Sequence, residues 1–389
     1  MRGNRLFKTL DFVLGITLNV VLGAFVRRHP DGGHRSGEPV RRILAVKLAA
    51  VGDGVLLIPS VRALRRRFPL AEIVFLGTNL TVPLLNLFPE YVNRCITLDL
   101  ANILRRPFYW IRIIRELRSL RCDCAYDFEQ WSRITPLILA VAGIRARAGF
   151  RTAGQYRHYL FTRSVEHRSS SHEVDNFLAL AEAGDGGNDS RLLEIRVRDE
   201  SVKKVRGMLH EYSWNEDIPL IVLHPGCGRH GFPREWPPEN YHRLATFLSQ
   251  HRRLFFAVSG TREESHVMEE VVRSGSNLYG SCSFDQQSDF IALFSLSSLV
   301  VSGNTGAMHL AAALQVPQIA LHGPTDVRRW GPLNPNAVVI QSSCPDCPCL
   351  NLGFEYHRSD GYCMRQIPVD EVYHVSLQLL ANKISTHSS

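Results

Sequence analysis

Val46-Lys47-Leu48-Ala49-Ala50-Val51-Gly52-Asp53-Gly54 closes one apolar run, residues 43–48, and opens an amphipathic stretch over residues 55–68. Its counterpart lies in the other half of the chain: Ser302-Gly303-Asn304-Thr305-Gly306-Ala307-Met308-His309-Leu310-Ala311-Ala312-Ala313-Leu314, again an apolar run leading into a helical pattern. Each stretch predicts a strand, a tight turn and a helix N-terminus, where unpaired backbone N–H groups and the helix dipole favour an anion. One such stretch is weak; two in different halves predict a two-lobed enzyme whose substrates meet in a cleft.

Outward from these anchors the pattern alternates between strand and helix. Strands are predicted at residues 72–77, 95–98 and 124–128 in the first half, and at 220–224, 254–259, 299–302 and 318–322 in the second. Helices are predicted at 238–250, 263–273 and 305–315. Strands alternating with helices make βαβ units and parallel sheets. A length of 389 residues suits two domains, and Glu-Ala-Gly-Asp-Gly-Gly-Asn-Asp-Ser at 182–190 has linker composition. The expected division is a segment 1–37, a Rossmann-like domain 38–185 and a second Rossmann-like domain 186–389. The 45 basic residues exceed the 37 acidic ones, for a formal charge of +8. That balance favours acidic partners, but no zinc-finger, RRM or KH pattern accompanies it, so nucleic acid is not an expected partner.

The segment 6–26 is strongly apolar, yet Lys8, Asp11, Gly15, Asn19 and Gly23 recur every three or four residues and fall on one narrow helical stripe. Arg2, Arg5 and Lys8 precede or open the run, and Arg27, Arg28 and Arg35 follow it. Three readings stay open: a helix lying in a membrane interface, a spanning anchor, or a helix packed on the protein or a second subunit. A span needs ~20 apolar residues, and Asp11 is expensive within one. No small-residue cleavage site follows, which disfavours a signal peptide. Gly32, Gly33, Ser36 and Gly37 read as a linker.

An ordered series of motifs then resembles a known family. After Lys47 and Gly52-Asp53 come His224-Pro225-Gly226, Arg234-Glu235-Trp236-Pro237-Pro238-Glu239-Asn240-Tyr241 and Gly260-Thr261-Arg262-Glu263-Glu264. Asn304-Thr305-Gly306-Ala307-Met308-His309 and Gly323-Pro324-Thr325-Asp326 complete it. Over residues 40–375 the chain resembles glycosyltransferase family 9, the heptosyltransferases of bacterial lipopolysaccharide assembly. His172, Asp175 and Asn176 also resemble a family segment. The resemblance implies a GT-B-like α/β fold, two Rossmann-like domains facing a central cleft, here preceded by the N-terminal helix. It implies an inverting transfer of a sugar, heptose from ADP-heptose, to a lipopolysaccharide core or related glycolipid acceptor. It also implies a cytoplasmic enzyme on the inner face of the membrane, with no cofactor required.

Such a transfer needs a base for the acceptor hydroxyl and charge stabilisation for the departing nucleotide phosphate. Asp53, at a strand end, is either that base, as the resemblance implies, or a cap of the following helix. Lys47 either orients the site or is a solvated lysine; Gly52 and Arg62 are grouped with it on the acceptor side. On the donor side, Thr305, Gly306 and Ala307 offer N–H groups and a hydroxyl to a diphosphate. His309 follows on the first turn, and Glu264 stands at the spacing of a ribose-binding acid. Arg234 occupies the place of a family lysine, keeping the charge with a different geometry. Asn304 stands where many members carry Asp, which bears on donor identity and rate.

Cys344, Cys347, Cys349 and Cys363 either form a structural zinc site or remain free thiols. Arg112, Arg115, Arg118 and Arg121 recur every three residues, as a solvated basic face or as contacts to anionic lipid. A nucleotide-dependent oxidoreductase lacks its Gly-x-Gly-x-x-Gly signature here. A transferase using another nucleotide sugar, and a catalytically silent glycan-binding protein, remain the alternatives.

Overall fold

The computed structural model describes residues 5–26, 39–99, 102, 106–182, 191–228, 231–273, 279–351, 355–356 and 360–387. The expected linker at 32–37, that at 182–190 except for Glu182, and Arg2, Arg27, Arg28 and Arg35 lie outside the described residues. The chain divides into two compact units, Met1–Arg191 and Leu192–Ser389.

The first unit is built on six strands: β1 (Arg42–Val46), β2 (Glu72–Gly77), β3 (Arg94–Thr97), β4 (Cys124–Asp127), β5 (Ala146–Arg151) and β6 (Arg163–Glu166). All pairs are parallel, in the order β3-β2-β1-β4-β5-β6. A parallel sheet covered on both faces needs strands apolar on both sides, which is what Arg-Ile-Leu-Ala-Val of β1 supplies, its last four residues buried. Helices α3 (Pro107–Leu120) and α4 (Ile134–Val141) cover one face, packing Tyr109, Ile113, Leu117, Ile138 and Leu139 against Leu44, Val46, Val74 and Leu76. Helix α2 (Val51–Arg67) follows β1 and packs on α5 (Glu173–Ala181).

Helix α2 starts at Val51, earlier than the pattern predicts. Asp53 occupies its third position and accepts a hydrogen bond from the Ala50 N–H at 3.0 Å, half of a capping box that pulls Gly52 and Asp53 into the first turn.

Helix α1 (Arg5–Gly23) packs on α4 and on the 3₁₀ turn Arg157–Leu160. Four residues of its polar stripe, Asp11, Gly15, Asn19 and Gly23, face inward. Asp11 meets Arg133, accepting from its backbone N at 3.0 Å and from its guanidinium at 3.2 Å. The buried Asn19 amide donates to the Arg133 carbonyl at 2.9 Å. Gly15 and Gly23 allow the approach: a Cβ at either position would come within 2.7 Å of Arg133 Cβ or 2.5 Å of Tyr159 Cβ. The apolar face points away from the unit, leaving Phe12, Val13 and Val21 each 55% exposed, with Leu14, Leu18, Leu22 and Phe25 beside them. Among the described residues no helix is long and apolar enough to cross a membrane.

The second unit repeats the plan. Strands β7 (Leu220–His224), β8 (Phe255–Gly260), β9 (Tyr279–Ser283), β10 (Leu299–Gly303), β11 (Gln318–His322) and β12 (Ala337–Gln341) run parallel in the order β12-β11-β10-β7-β8-β9. They are accompanied by α6 (Asp199–Glu211), α7 (Pro238–Ser249), α8 (Ser265–Arg273), α9 (Gln287–Leu296), α10 (Gly306–Ala313) and α11 (Val369–His387). Trp236 and Tyr241 are wholly buried in its core against Ile221, Leu223, Val301 and Ile367. The helix expected at 263–273 is a 3₁₀ turn, Arg262–Glu264, followed by α8. Helix α10 is shorter than the predicted 305–315 at both ends. Thr305 is extended ahead of it, and Gln315 turns to a positive φ of 56° after it.

Candidate active site

In both sheets the chain reverses its direction of growth between two central strands: β1 and β4 in the first unit, β7 and β10 in the second. Ligands of open parallel sheets bind outside the carboxyl ends of the strands at such a point. The two sequence anchors of the fold sit there, one in each unit.

In the first unit Lys47 follows β1, and Glu129 and Gln130 follow β4. Lys47 is 1% exposed, which overturns its reading as a solvated lysine. An ammonium carries three donors and must have them met once buried. Gln130 Oε1 accepts at 2.7 Å and Glu129 Oε1 at 3.4 Å, and Asp53 Oδ2 lies 3.5 Å away as the third partner. Glu129 Oε1 also accepts from the backbone N–H groups of Leu48 (2.7 Å) and Ala49 (3.2 Å). Burial pushes the Glu129 carboxyl up, but the Lys47 charge, those two N–H groups and Arg157 outweigh it and hold it below the ordinary range. Gln130 Nε2 donates to Glu173, which pairs with His167 at 3.0 Å.

Arg157, fully buried, closes the cluster from below. It donates to Asp127 at 2.7 Å, to the Ser132 carbonyl at 2.9 Å and to the Glu129 carbonyl. Asp53 therefore both caps α2 and faces a buried cation. Sequence reasoning missed Glu129, Gln130 and Arg157. The signal for the first two was positional: Glu129-Gln130 directly follows a predicted strand. Arg62 lies nine residues along α2, about 13 Å by helical rise, and is outside this cluster. His172, Asp175 and Asn176 shape the entry to α5. His172 caps it, accepting from the Val174 N–H at 3.3 Å, Asn176 bonds both backbone groups of Arg168, and Asp175 pairs with Arg191.

In the second unit Arg234, Asn304, Thr305, Gly306 and Ala307 come together at the ends of β7 and β10. Arg234 donates to the Asn304 carbonyl at 2.9 Å and to the Cys227 carbonyl at 3.0 Å, which fixes its guanidinium beside the first turn of α10. Among the described residues the Thr305 hydroxyl finds no hydrogen-bond partner. His309 is buried on the same helix. Glu264 braces the neighbouring loop: its carboxylate accepts from Gly228 N (2.6 Å), Thr261 N (2.7 Å) and Thr261 Oγ1 (2.9 Å). Burial pushes this carboxyl up, but His224 and the N–H groups outweigh that and hold it low. Gly226 packs against the carboxylate so closely that a Cβ would collide with it. Beneath Asn304, its amide donates to the Trp330 carbonyl (3.2 Å) and approaches His322 (3.4 Å), which also meets Thr325 (3.0 Å). Burial pushes His322 down to about 4.

The four C-terminal cysteines gather around Cys363. Its sulfur lies 3.6 Å from that of Cys344 and 3.7 Å from that of Cys349, and Cys344, Cys347 and Cys363 lie within 4.8 Å of one another. No disulfide joins them. Four tetrahedral thiolates at ~2.3 Å from one ion stand roughly 3.8 Å apart, so the cluster can hold a metal.

Residues 110–356 match the family model described as glycosyltransferase family 9 (heptosyltransferase). The chain is 26% identical over 314 residues to lipopolysaccharide heptosyltransferase 2 of Escherichia coli K12, covering 77% of this chain and 88% of that protein. It is 27% identical over 321 residues to lipooligosaccharide heptosyltransferase 2 of Haemophilus ducreyi, with the same coverage. Among solved structures, E. coli ADP-heptose lps heptosyltransferase II superposes with a TM-score of 0.71 at 24% identity, over 88% of this chain and 99% of that one.

The lowered pKa of His322 has a definite sign. A histidine held neutral when folded binds its proton more readily when unfolded, so it weakens the fold as the pH falls. Its contribution should be intact above about 6.5 and be lost progressively toward about 4. Chemical unfolding at a series of pH values should show His322→Gln losing less stability than the parent across that window.

Proposed function

We propose that this chain, which belongs to glycosyltransferase family 9 and is a glycosyltransferase, moves heptose from ADP-heptose to a lipopolysaccharide-core acceptor with inversion, Asp53 serving as general base. The observation that carries the reading is the buried Lys47–Asp53–Glu129 cluster at the carboxyl end of the first sheet. Asp53 takes the proton of the acceptor hydroxyl as that oxygen attacks the anomeric carbon. The bond from that carbon to the donor phosphate oxygen breaks, and ADP departs with its electron pair. The departing charge is met by Arg234 and the N–H groups opening α10 at Gly306 and Ala307, with the Thr305 hydroxyl beside them. Glu264 shapes the nucleotide loop; Asn304, neutral above a neutral His322, leaves that end of the site without the acid many relatives carry.

Asp53→Asn should leave ADP binding intact by calorimetry and lower turnover ~10²–10⁴-fold, the scale of general-base catalysis. Arg234→Ala should weaken ADP binding. Near-normal turnover of Asp53→Asn returns that residue to helix capping alone, and a preference for UDP or GDP over ADP supports the alternative donor.

The outward face of α1 suits an anionic bilayer on the cytoplasmic side. Exposed Phe108 and Ile111 of α3, with Arg106, Arg112 and Arg115, add cations and apolar groups on the face of the first sheet that α4 shares. Val13→Ser/Leu14→Ser/Val21→Ser should reduce sedimentation with phosphatidylethanolamine–phosphatidylglycerol vesicles. Undiminished binding argues against the helix as the contact.

For the cysteine cluster the metal is structural zinc, tying the loop after β12 to the segment before α11. Elemental analysis of purified protein should find about one zinc per chain, lost in Cys347→Ser/Cys363→Ser; iron, or no metal, contradicts the assignment.

A further inference from the structure

We propose that the inward stripe of α1 is a positioning element for the reaction: Asp11, acting through Arg133, sets the loop of residues 128–133 so that Glu129 and Gln130 hold Lys47 against Asp53. This rests on the assignment of Asp53 as the base.

The loop joins β4 to α4 and all six of its residues are buried. Irregular backbone in such a place has to find partners for every N–H and carbonyl. At its first end, the Phe128 N–H donates to the Val46 carbonyl (2.9 Å) and the Glu129 N–H to Asp127 Oδ1 (3.0 Å). In its middle, Arg157 binds the carbonyls of both Glu129 and Ser132. At its last residue the partners come from α1. Asp11 takes the Arg133 N–H and guanidinium, and Asn19 gives its amide to the Arg133 carbonyl. Arg133 Nε completes the set on the Gln155 carbonyl at 3.1 Å.

The same six residues deliver the side chains that meet Lys47. A helix serving only as an anchor gains nothing from burying Asp11 and Asn19, whose desolvation is costly unless each is bonded. Here Asp11 is bonded to Arg133, and the Asn19 amide is shared between the Arg133 carbonyl and, at 2.6 Å, the Gly15 carbonyl of its own helix; Arg133 stands three and four positions from Gln130 and Glu129. The Lys47 contact to Glu129, already 3.4 Å, has no slack for a loop that drifts outward, and the 2.7 Å bond to Gln130 moves with the same loop.

The test uses the full chain with ADP-heptose and a deacylated lipopolysaccharide-core saccharide, so that lipid attachment plays no part. Asp11→Ala should lower kcat about 10- to 100-fold, the cost of a roughly 1 Å misplacement, with KM for ADP-heptose unchanged. Asp11→Asn, which keeps an oxygen for the Arg133 N–H, should recover most of the loss. Glu129→Gln, which keeps an acceptor for Leu48 and Ala49, should show the kcat fall in a folded protein. Val13→Ser/Leu14→Ser/Val21→Ser should turn over as the parent does on this soluble acceptor. Parental kcat in Asp11→Ala or in Glu129→Gln overturns the proposal, as does a loss that Asp11→Asn leaves untouched. Parental turnover in Asp53→Asn is a different result: it removes the base assignment, whatever the Asp11 variants do.

Discussion

A lysine ammonium sealed from water at the carboxyl end of β1 governs the first unit. Its three donors demand three oxygens, and the chain brings them from the helix that follows β1 and the loop that follows β4. Leaving such a charge short of partners costs far more than the net gain of a surface ion pair, so α2, β4 and the loop 128–133 hold one arrangement. Arg157 with Asp127 acts in the same sense, because removing either partner leaves the other charge buried and uncompensated.

The two units carry different groups at the carboxyl ends of one strand order. The first gathers charged side chains around Asp53, so its chemistry is that of a held carboxylate. The second presents backbone N–H groups at a helix start and the Arg234 guanidinium pinned by two carbonyls. Its acidic residue, Glu264, is turned to bracing the loop, and its histidines at 224 and 322 are held low by burial.

How much of this was legible in the sequence depended on the origin of each signal. The central strands were readable because a parallel strand buried on both faces is a continuous apolar run, as in β1, β7 and β11. Two strands on one side of the first sheet were not: Ala-Arg-Ala-Gly-Phe-Arg of β5 and Arg-Ser-Val-Glu of β6 owe their state to pairing with neighbours. Asp53 and Lys47 were readable from their place after a strand. Glu129 was not singled out, because its partner Lys47 lies 82 positions away and no local pattern encodes the meeting. The polar stripe of α1 was plain as a periodicity, but which way it faced was not. Hydropathy expects a polar stripe to face water, whereas here it meets a buried arginine.

That inverted helix has a consequence for how the chain is made. Asp11 is synthesised 122 positions before Arg133. At about 5–20 residues per second the interval is on the order of ten seconds. Throughout it, an emerging helix with an apolar face and an unmet carboxylate has left the ribosome without its docking site. The segment is thus exposed to chaperones, or to the bilayer itself, before the fold that will orient it exists.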